Sequence, residues 1–422
     1  MRTREWVVLI IVIAAAFSFT FSYFSSLYYH RTTTKTVTVT ETIELTPTAT
    51  TLTPDEEYRE SVQKLLQDVM KWVESHRGLR FKERVDVVIL TKEWVIEHWG
   101  IGFLNLTEVR LEEKILKSLF IIPRDFNLTK FKAGRAGYLI AASAGNKIYI
   151  VKEAFNPNER LRAGGILAHE LMHVLQGEYF ELPEPATSDE RDALNALVEG
   201  DADLLSAHYI SEHGGVKSNP LESYFDPLTA LWLFPYIYGK PFVEYVYEKE
   251  GWSGVNALYE NPPRSTAEVL HPEKYLEGWR PVKPGFSSEI GNGWKLMMQD
   301  TLGEYFIREM LRAHLSFFAA NESAEGWRGD VIQLYEKGEA YLIRWKIVWE
   351  NHEEAKEFTD AFRELLQKVG ANETSTNIWT TATEVISIKA SGTEVLIEIV
   401  SPPGEMMKEA VEAASLSYTA SL

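Results

Sequence analysis

Five residues near the middle of the chain constrain its fold most: His169-Glu170-Leu171-Met172-His173, within "ILAHELMHVLQGEYF". On a helix, side chains four positions apart are neighbours on one face, so both imidazoles can reach a single metal ion. Glu170 is offset around the helix and can touch another ligand of that ion without binding the ion itself. This is the H-E-x-x-H arrangement. The chain holds ten histidines, and at that frequency the pattern arises by chance in roughly a few per cent of sequences. The five residues therefore need a third ligand before they mean a metal centre.

With no cysteine in the chain, disulfides, thiolate ligands and a cysteine nucleophile are excluded, and any metal site must use His, Asp and Glu. The stretch "SDERDALNALVEGDADLLSAHYI", Ser188 to Ile210, reads as a second long helix ending at Gly214-Gly215. It carries Glu199, 26 positions after His173, and Asp203 one turn later. A loop followed by a helix returning antiparallel would set Glu199 opposite the histidine pair as the third ligand of zinc. Asp203 would then accept the second ring N–H of a ligating histidine. Asp201 projects to a different face and reads as a solvated or capping residue.

H-E-x-x-H followed at this distance by E-x-x-x-D resembles the gluzincin zinc metallopeptidases. The resemblance implies a zincin-like fold and one Zn2+ per chain. It gives His169, His173 and Glu199 as ligands, Glu170 as general base and Asp203 as the partner of His169. Broader stretches are similar to a group of bacterial and archaeal gluzincins, membrane-anchored or secreted. They include "ERLRAGGILAHELMHVLQGEYF", "LNALVEGDADLL", "GWSGVNALYENPPRSTAEVLHPEKYL", "AEGWRGDVIQLYE" and "WKIVWENHEEAKEF". Arg328 departs from that pattern, where a glycine is expected, and leaves the metal residues untouched.

Peptide hydrolysis on such a site also needs a donor for the oxyanion. Tyr236, three residues before Gly239 in "FPYIYGKPFV", matches the Y-x-x-G pattern of the oxyanion tyrosine in aminopeptidase-type gluzincins. Tyr238 and His271 are the other candidates, the latter placed by Pro272 in an extended or turn segment. The edge strand in "GYLIAAS" resembles the one that pairs antiparallel with bound peptide in gluzincins. A non-catalytic surface binding or adhesion module on a peptidase-like scaffold is the alternative reading.

The N-terminus bears on location. Residues 6–29 carry no charge, long enough to cross a bilayer as one helix. In Arg31 to Pro54 half the residues are threonine, a composition that cannot bury apolar surface and reads as a stalk. Together they predict a single-pass cell-membrane protein with its catalytic domain extracytoplasmic, secretion after signal cleavage being the alternative. Acidic side chains outnumber basic ones 61 to 43, which argues against nucleic acid as a partner. The expected partners are a peptide or protein substrate and the membrane.

The predicted fold class is α+β. A transmembrane segment (1–30) and the stalk (31–54) precede a zincin-like domain (55–324), with a small sheet, the active-site helix and a mainly helical part. A small α+β domain (325–422) follows. Helices are expected from Pro54 to Gly78, after Thr91, from Pro157-Asn158 through the histidine pair, and from Trp294 to Phe318. Between Asn219 and Gly285, rich in Pro, Trp and Tyr, short helices are expected. Hairpins are expected through Ser143-Ala144-Gly145-Asn146, Gly338 and Ser391-Gly392.

Overall fold

The computed structural model describes residues 53–401, except 101, 103, 221, 223, 224, 288, 289 and 292, together with the strand β1 (Leu9–Val12). It is a mixed α+β structure whose contacts form two units. One comprises 1–92, 138–180 and 202–217, the other 93–137, 181–201 and 218–422. The division falls inside one continuous helix, α6 (Ser188–Glu212).

In the first unit, α1 (Pro54–Arg77) starts at a capping box. The Thr53 hydroxyl accepts from the Glu56 N–H, and the Glu56 carboxylate accepts from the Thr53 N–H at 2.7 Å. Pro54 opens the helix, and Gly78, at φ 73°, supplies the left-handed residue that ends it. A four-stranded sheet runs in the order β1, β3 (Ala141–Ala144), β4 (Lys147–Val151), β2 (Asp86–Leu90). β2 is parallel to β4 and the other pairs are antiparallel. The expected hairpin joins β3 to β4 through Gly145, at φ 56°.

The helix α5 (Arg160–Tyr179) packs on α1, β3 and β4, and everything from Leu167 to Gln176 is buried. It starts at Arg160 rather than at Pro157-Asn158, and Glu159 at its cap makes no side-chain capping bond.

Of the apolar run expected to cross the membrane as a helix, only β1 is described, and it is a strand. Leu9 lies opposite Ala144 and Val12 opposite Ala141. A short aliphatic run reads alike as helix or strand, and the outer edge of β3 offers backbone partners to it. The rest of the run and the threonine-rich segment up to residue 52 lie outside the described residues. Among the described residues no helix is long and apolar enough to cross a membrane.

The helix expected after Thr91 forms as α2 (Lys92–Trp99), and the second unit contains α3 (Leu106–Ser118), α4 (Leu128–Gly134), α7 (Pro227–Glu260), α8 (Thr266–Leu270), α9 (Pro272–Leu276) and a seven-stranded antiparallel sheet. The strand order is β5 (Lys295–Asp300), β6 (Trp327–Lys337), β7 (Ala340–Trp349), β11 (Glu394–Ser401), β10 (Val385–Ser391), β9 (Ile378–Thr380), β8 (Asn372–Ser375). The hairpins at Gly338 and Ser391-Gly392 form as expected. The helix α12 (His352–Lys368) lays Phe358 and Phe362 onto a core with Trp327, Trp345 and Trp349. Arg328 falls at a bulge in β6, its guanidinium 4.7 Å from the Trp279 ring.

Two stretches differ from the sequence reading. Residues 227–260 are helical almost throughout, despite Pro235 and Pro241, with a break at Gly251 (φ 62°, ψ −159°). An internal proline costs about 3 kcal/mol of helix stability, and burial of Phe234, Phe242, Val243 and Val246 offsets that cost. Residues 294–318 are not one helix but β5, α10 (Gly303–Arg312) and the start of α11 (Phe317–Glu322).

Buried carboxylates fix three helix starts in this unit. Asp300 accepts from the Ser188 N–H at 2.7 Å and from its hydroxyl at the start of α6. Asp189 accepts from the Thr266 N–H at 2.8 Å at the start of α8. Asp330 accepts from the Leu302 and Gly303 N–H groups, both at 3.0 Å, at the start of α10. Each carboxyl group meets the donor end of a helix.

Candidate metal centre

The close pairing of α5 and α6 is written into glycines. A Cβ on Gly164 would fall onto the Tyr209 ring, and one on Gly165 would lie 2.7 Å from the Ile210 Cδ1. Further along α5, His169 meets Asp203. The order of contacts rises on α5 as it falls on α6, so the helices run antiparallel. Their side chains interdigitate without a Cβ between them at the glycines.

That pairing gathers His169, His173 and Glu199, whose ligand atoms all lie within 4.8 Å of one another. All three are buried, at 3%, 3% and 4% exposure, so the group can hold a metal ion that water does not screen. His169 Nδ1 is 2.9 Å from Asp203 Oδ1, and His173 Nδ1 is 2.7 Å from Gln176 Oε1. The Asp203 carboxylate only accepts, which assigns the His169 proton to Nδ1; with the Gln176 amide oxygen assigned to face His173, that ring takes the same tautomer. The two Nε2 atoms, 3.0 Å apart, then face each other with lone pairs. That arrangement is repulsive without a cation between them. Two imidazole nitrogens on one tetrahedral zinc sit about 3.3 Å apart. The donor set thus fits zinc: two neutral nitrogens and a carboxylate.

Glu170 is fully buried beside the pair on α5. Asp203 also accepts from Lys217 Nζ at 2.6 Å. Burial alone would raise its pKa, but the Lys217 ammonium and the His169 bond outweigh this and hold its carboxyl well below the usual carboxylate range.

The family described as "Domain of unknown function (DUF8575)" matches residues 295–411 of the chain. No curated protein matches it. One solved structure, described as a "putative hydrolase with a novel fold" from Chloroflexus aurantiacus, is similar at 16% identity and a TM-score of 0.36. The similarity covers 54% of this chain and 92% of that one, and at that TM-score it carries no inference about this chain's chemistry.

The three candidates for an oxyanion donor lie in different settings. Tyr236 is buried on α7, one turn before Gly239. Gly239 packs against Gly200 of α6: a Cβ on either would collide with the other helix's backbone. The glycine of the Y-x-x-G pattern is thus explained by a helix crossing next to Glu199 in sequence. The Tyr238 hydroxyl donates to Glu222 Oε2 at 2.6 Å and accepts from Arg308 at 2.8 Å. His271 Nε2 lies 2.7 Å from Glu304 Oε1. Burial disfavours the charged ring, but the Glu304 bond and charge outweigh it and raise the His271 pKa.

Asp201 is neither solvated nor a cap. It is fully buried and accepts from the Tyr259 hydroxyl at 2.9 Å. The outer edge of β3, expected to pair with substrate, is paired with β1. Sequence reasoning also missed Gln176, although it stands one turn after His173 and so had a helical signal. It missed Lys217 and the His76–His208 contact of 2.8 Å, for which sequence spacing offers no signal.

Proposed function

We propose that this chain is a zinc-dependent peptidase of the gluzincin type, with a zincin-like catalytic fold. The observation that carries the reading is the buried convergence of His169, His173 and Glu199, their ligand atoms all within 4.8 Å of one another. A zinc ion held there would supply a Lewis acid that polarises a peptide carbonyl and acidifies water. Glu170, on the same helix, takes a proton from the attacking water and delivers it to the leaving nitrogen. Asp203 and Gln176 hold the two rings in the Nδ1–H tautomer. Tyr236 is the leading candidate for the oxyanion donor on its Y-x-x-G pattern, with Tyr238, bonded to Glu222, and His271, bonded to Glu304, as the others. The uncharged residues 13–29 that follow β1 and the threonine-rich stretch behind them support a membrane-attached, extracytoplasmic enzyme.

A peptide-library digest read by mass spectrometry tests the reaction. The parent chain should cleave peptides, a chelator should stop it, and Glu170→Gln should lower the rate at least about 100-fold while keeping the metal. Cleavage by Glu170→Gln at the parental rate would remove the base from the scheme. Protease shaving of intact cells tests the location: the catalytic domain should be digested from outside.

A further inference from the structure

Past its last turn α6 folds back on itself. The Gly214 N–H donates to the Ser211 carbonyl at 3.0 Å and the Gly215 N–H to the Ile210 carbonyl at 2.9 Å. Gly214 adopts φ 83°, and a Cβ on Gly215 would lie 2.7 Å from Leu161 and 2.9 Å from Ile210. Gly214 is therefore required for this turn, and Gly215 lets the chain pass close to Leu161 and Ile210. Val216 then points outward, 93% exposed, and Lys217 returns along the helix. Its Nζ lies 2.6 Å from Asp203 Oδ1 and 3.1 Å from the buried Ser206 hydroxyl. The oxygen it binds is the one that accepts from His169 Nδ1. Lys217 is half-buried, with 26% of its side chain exposed.

We propose that Lys217 is a positioning residue of the metal centre: it fixes the Asp203 carboxylate and, through it, the ring plane and tautomer of His169. The inference rests on the zinc reading above. Before a metal binds, a carboxylate taken out of water against a neutral imidazole has no counter-charge, and its lost solvation is not repaid by that one bond. The ammonium supplies the counter-charge and a second directed bond, and Ser206 fixes the ammonium. The geometry is a relay of four groups, Ser206–Lys217–Asp203–His169, all carried by α5, α6 and the turn after α6.

The test measures zinc affinity of the full chain by competition with a fluorescent chelator, and the absorption spectrum after cobalt substitution, which reports ligand geometry. Lys217→Met should weaken zinc about 10-fold, within the range for partners of metal ligands, and perturb the cobalt spectrum. Lys217→Arg should restore most of the affinity. In an Asp203→Asn background, Lys217→Met should add little, because its path to His169 is already cut. Should Lys217→Met not fold, Lys217→Gln, uncharged and of similar reach, carries the same comparison and the same expected loss. Parental affinity and an unchanged cobalt spectrum in the uncharged variant would overturn the proposal. So would an undiminished loss in the Asp203→Asn background. A parent chain that binds no zinc would instead overturn the metal reading on which this rests.

Discussion

Asp201 and Glu199 stand two positions apart on α6, yet they face different partners. Glu199 turns to the histidines, whereas Asp201 accepts from the Tyr259 hydroxyl in a fully buried setting. The two carboxylates should therefore fail differently. Asp201→Ala should keep its zinc but lose about 1–3 kcal/mol of stability, because it leaves the buried Tyr259 hydroxyl without this acceptor. Denaturant unfolding of the zinc-loaded variant checks this, and a midpoint equal to the parent's would show that the Tyr259 bond contributes nothing. At this scale the sequence was legible where helical spacing decides: 169 with 173, and 199 with 203, lie on common faces whatever surrounds them. What Asp201, Lys217 and His271 touch depends on residues far along the chain, and spacing says nothing about that.

Among the elements, helix crossings govern the centre. Gly200 and Gly239 let α6 and α7 approach so closely that a Cβ on one meets the other's backbone. Gly200→Ala should force the helices apart, costing about 1–3 kcal/mol as overpacking does. Zinc affinity should fall as well, because the neighbouring Glu199 moves with its helix. Gly177→Ala, where a Cβ meets open space on α5, is the control: it should leave zinc affinity unchanged and raise stability by about 0.5–1 kcal/mol, as Ala does over Gly within a helix. Thermal melts and chelator competition on the pair decide it; equal affinity in Gly200→Ala and parent would show the crossing does not set Glu199. The bounds of α1 at Pro54 and Gly78 and the hairpins at Gly145, Gly338 and Ser391-Gly392 were readable locally. The long helix over 227–260 was not, since Pro235 and Pro241 signal breaks that tertiary burial overrides. β5 was read as helix because six residues of mixed character, "KLMMQD", give neither period clearly.

For the molecule as a whole, the carboxylates at the helix starts make stability depend on pH. Burial pushes the Asp330 pKa up to about 6 although the Leu302 and Gly303 N–H groups and the Trp345 indole oppose it. Burial likewise raises Asp189 and Asp300. A carboxyl whose folded pKa lies above its unfolded value of 3.8 binds more protons in the folded state. Its contribution is fully present below that value and is lost as pH rises through about 6. The melting temperature should therefore fall between pH 4 and pH 7 by a share due to Asp330, and Asp330→Asn should make that fall shallower. A slope identical to the parent's would contradict the assignment. None of this long-range pairing could be read from sequence, because Asp189, Asp300 and Asp330 look like surface acids until the chain folds.

The central claim is that His169, His173 and Glu199 hold a zinc ion, and metal content tests it most directly. The purified full chain is stripped with chelator, reloaded with zinc, dialysed and assayed, alongside Glu199→Ala and Glu170→Gln. The parent and Glu170→Gln should carry about one zinc ion per chain, and Glu199→Ala should lose most of it. A parent chain that retains no zinc, or Glu199→Ala with a full complement, would contradict the account.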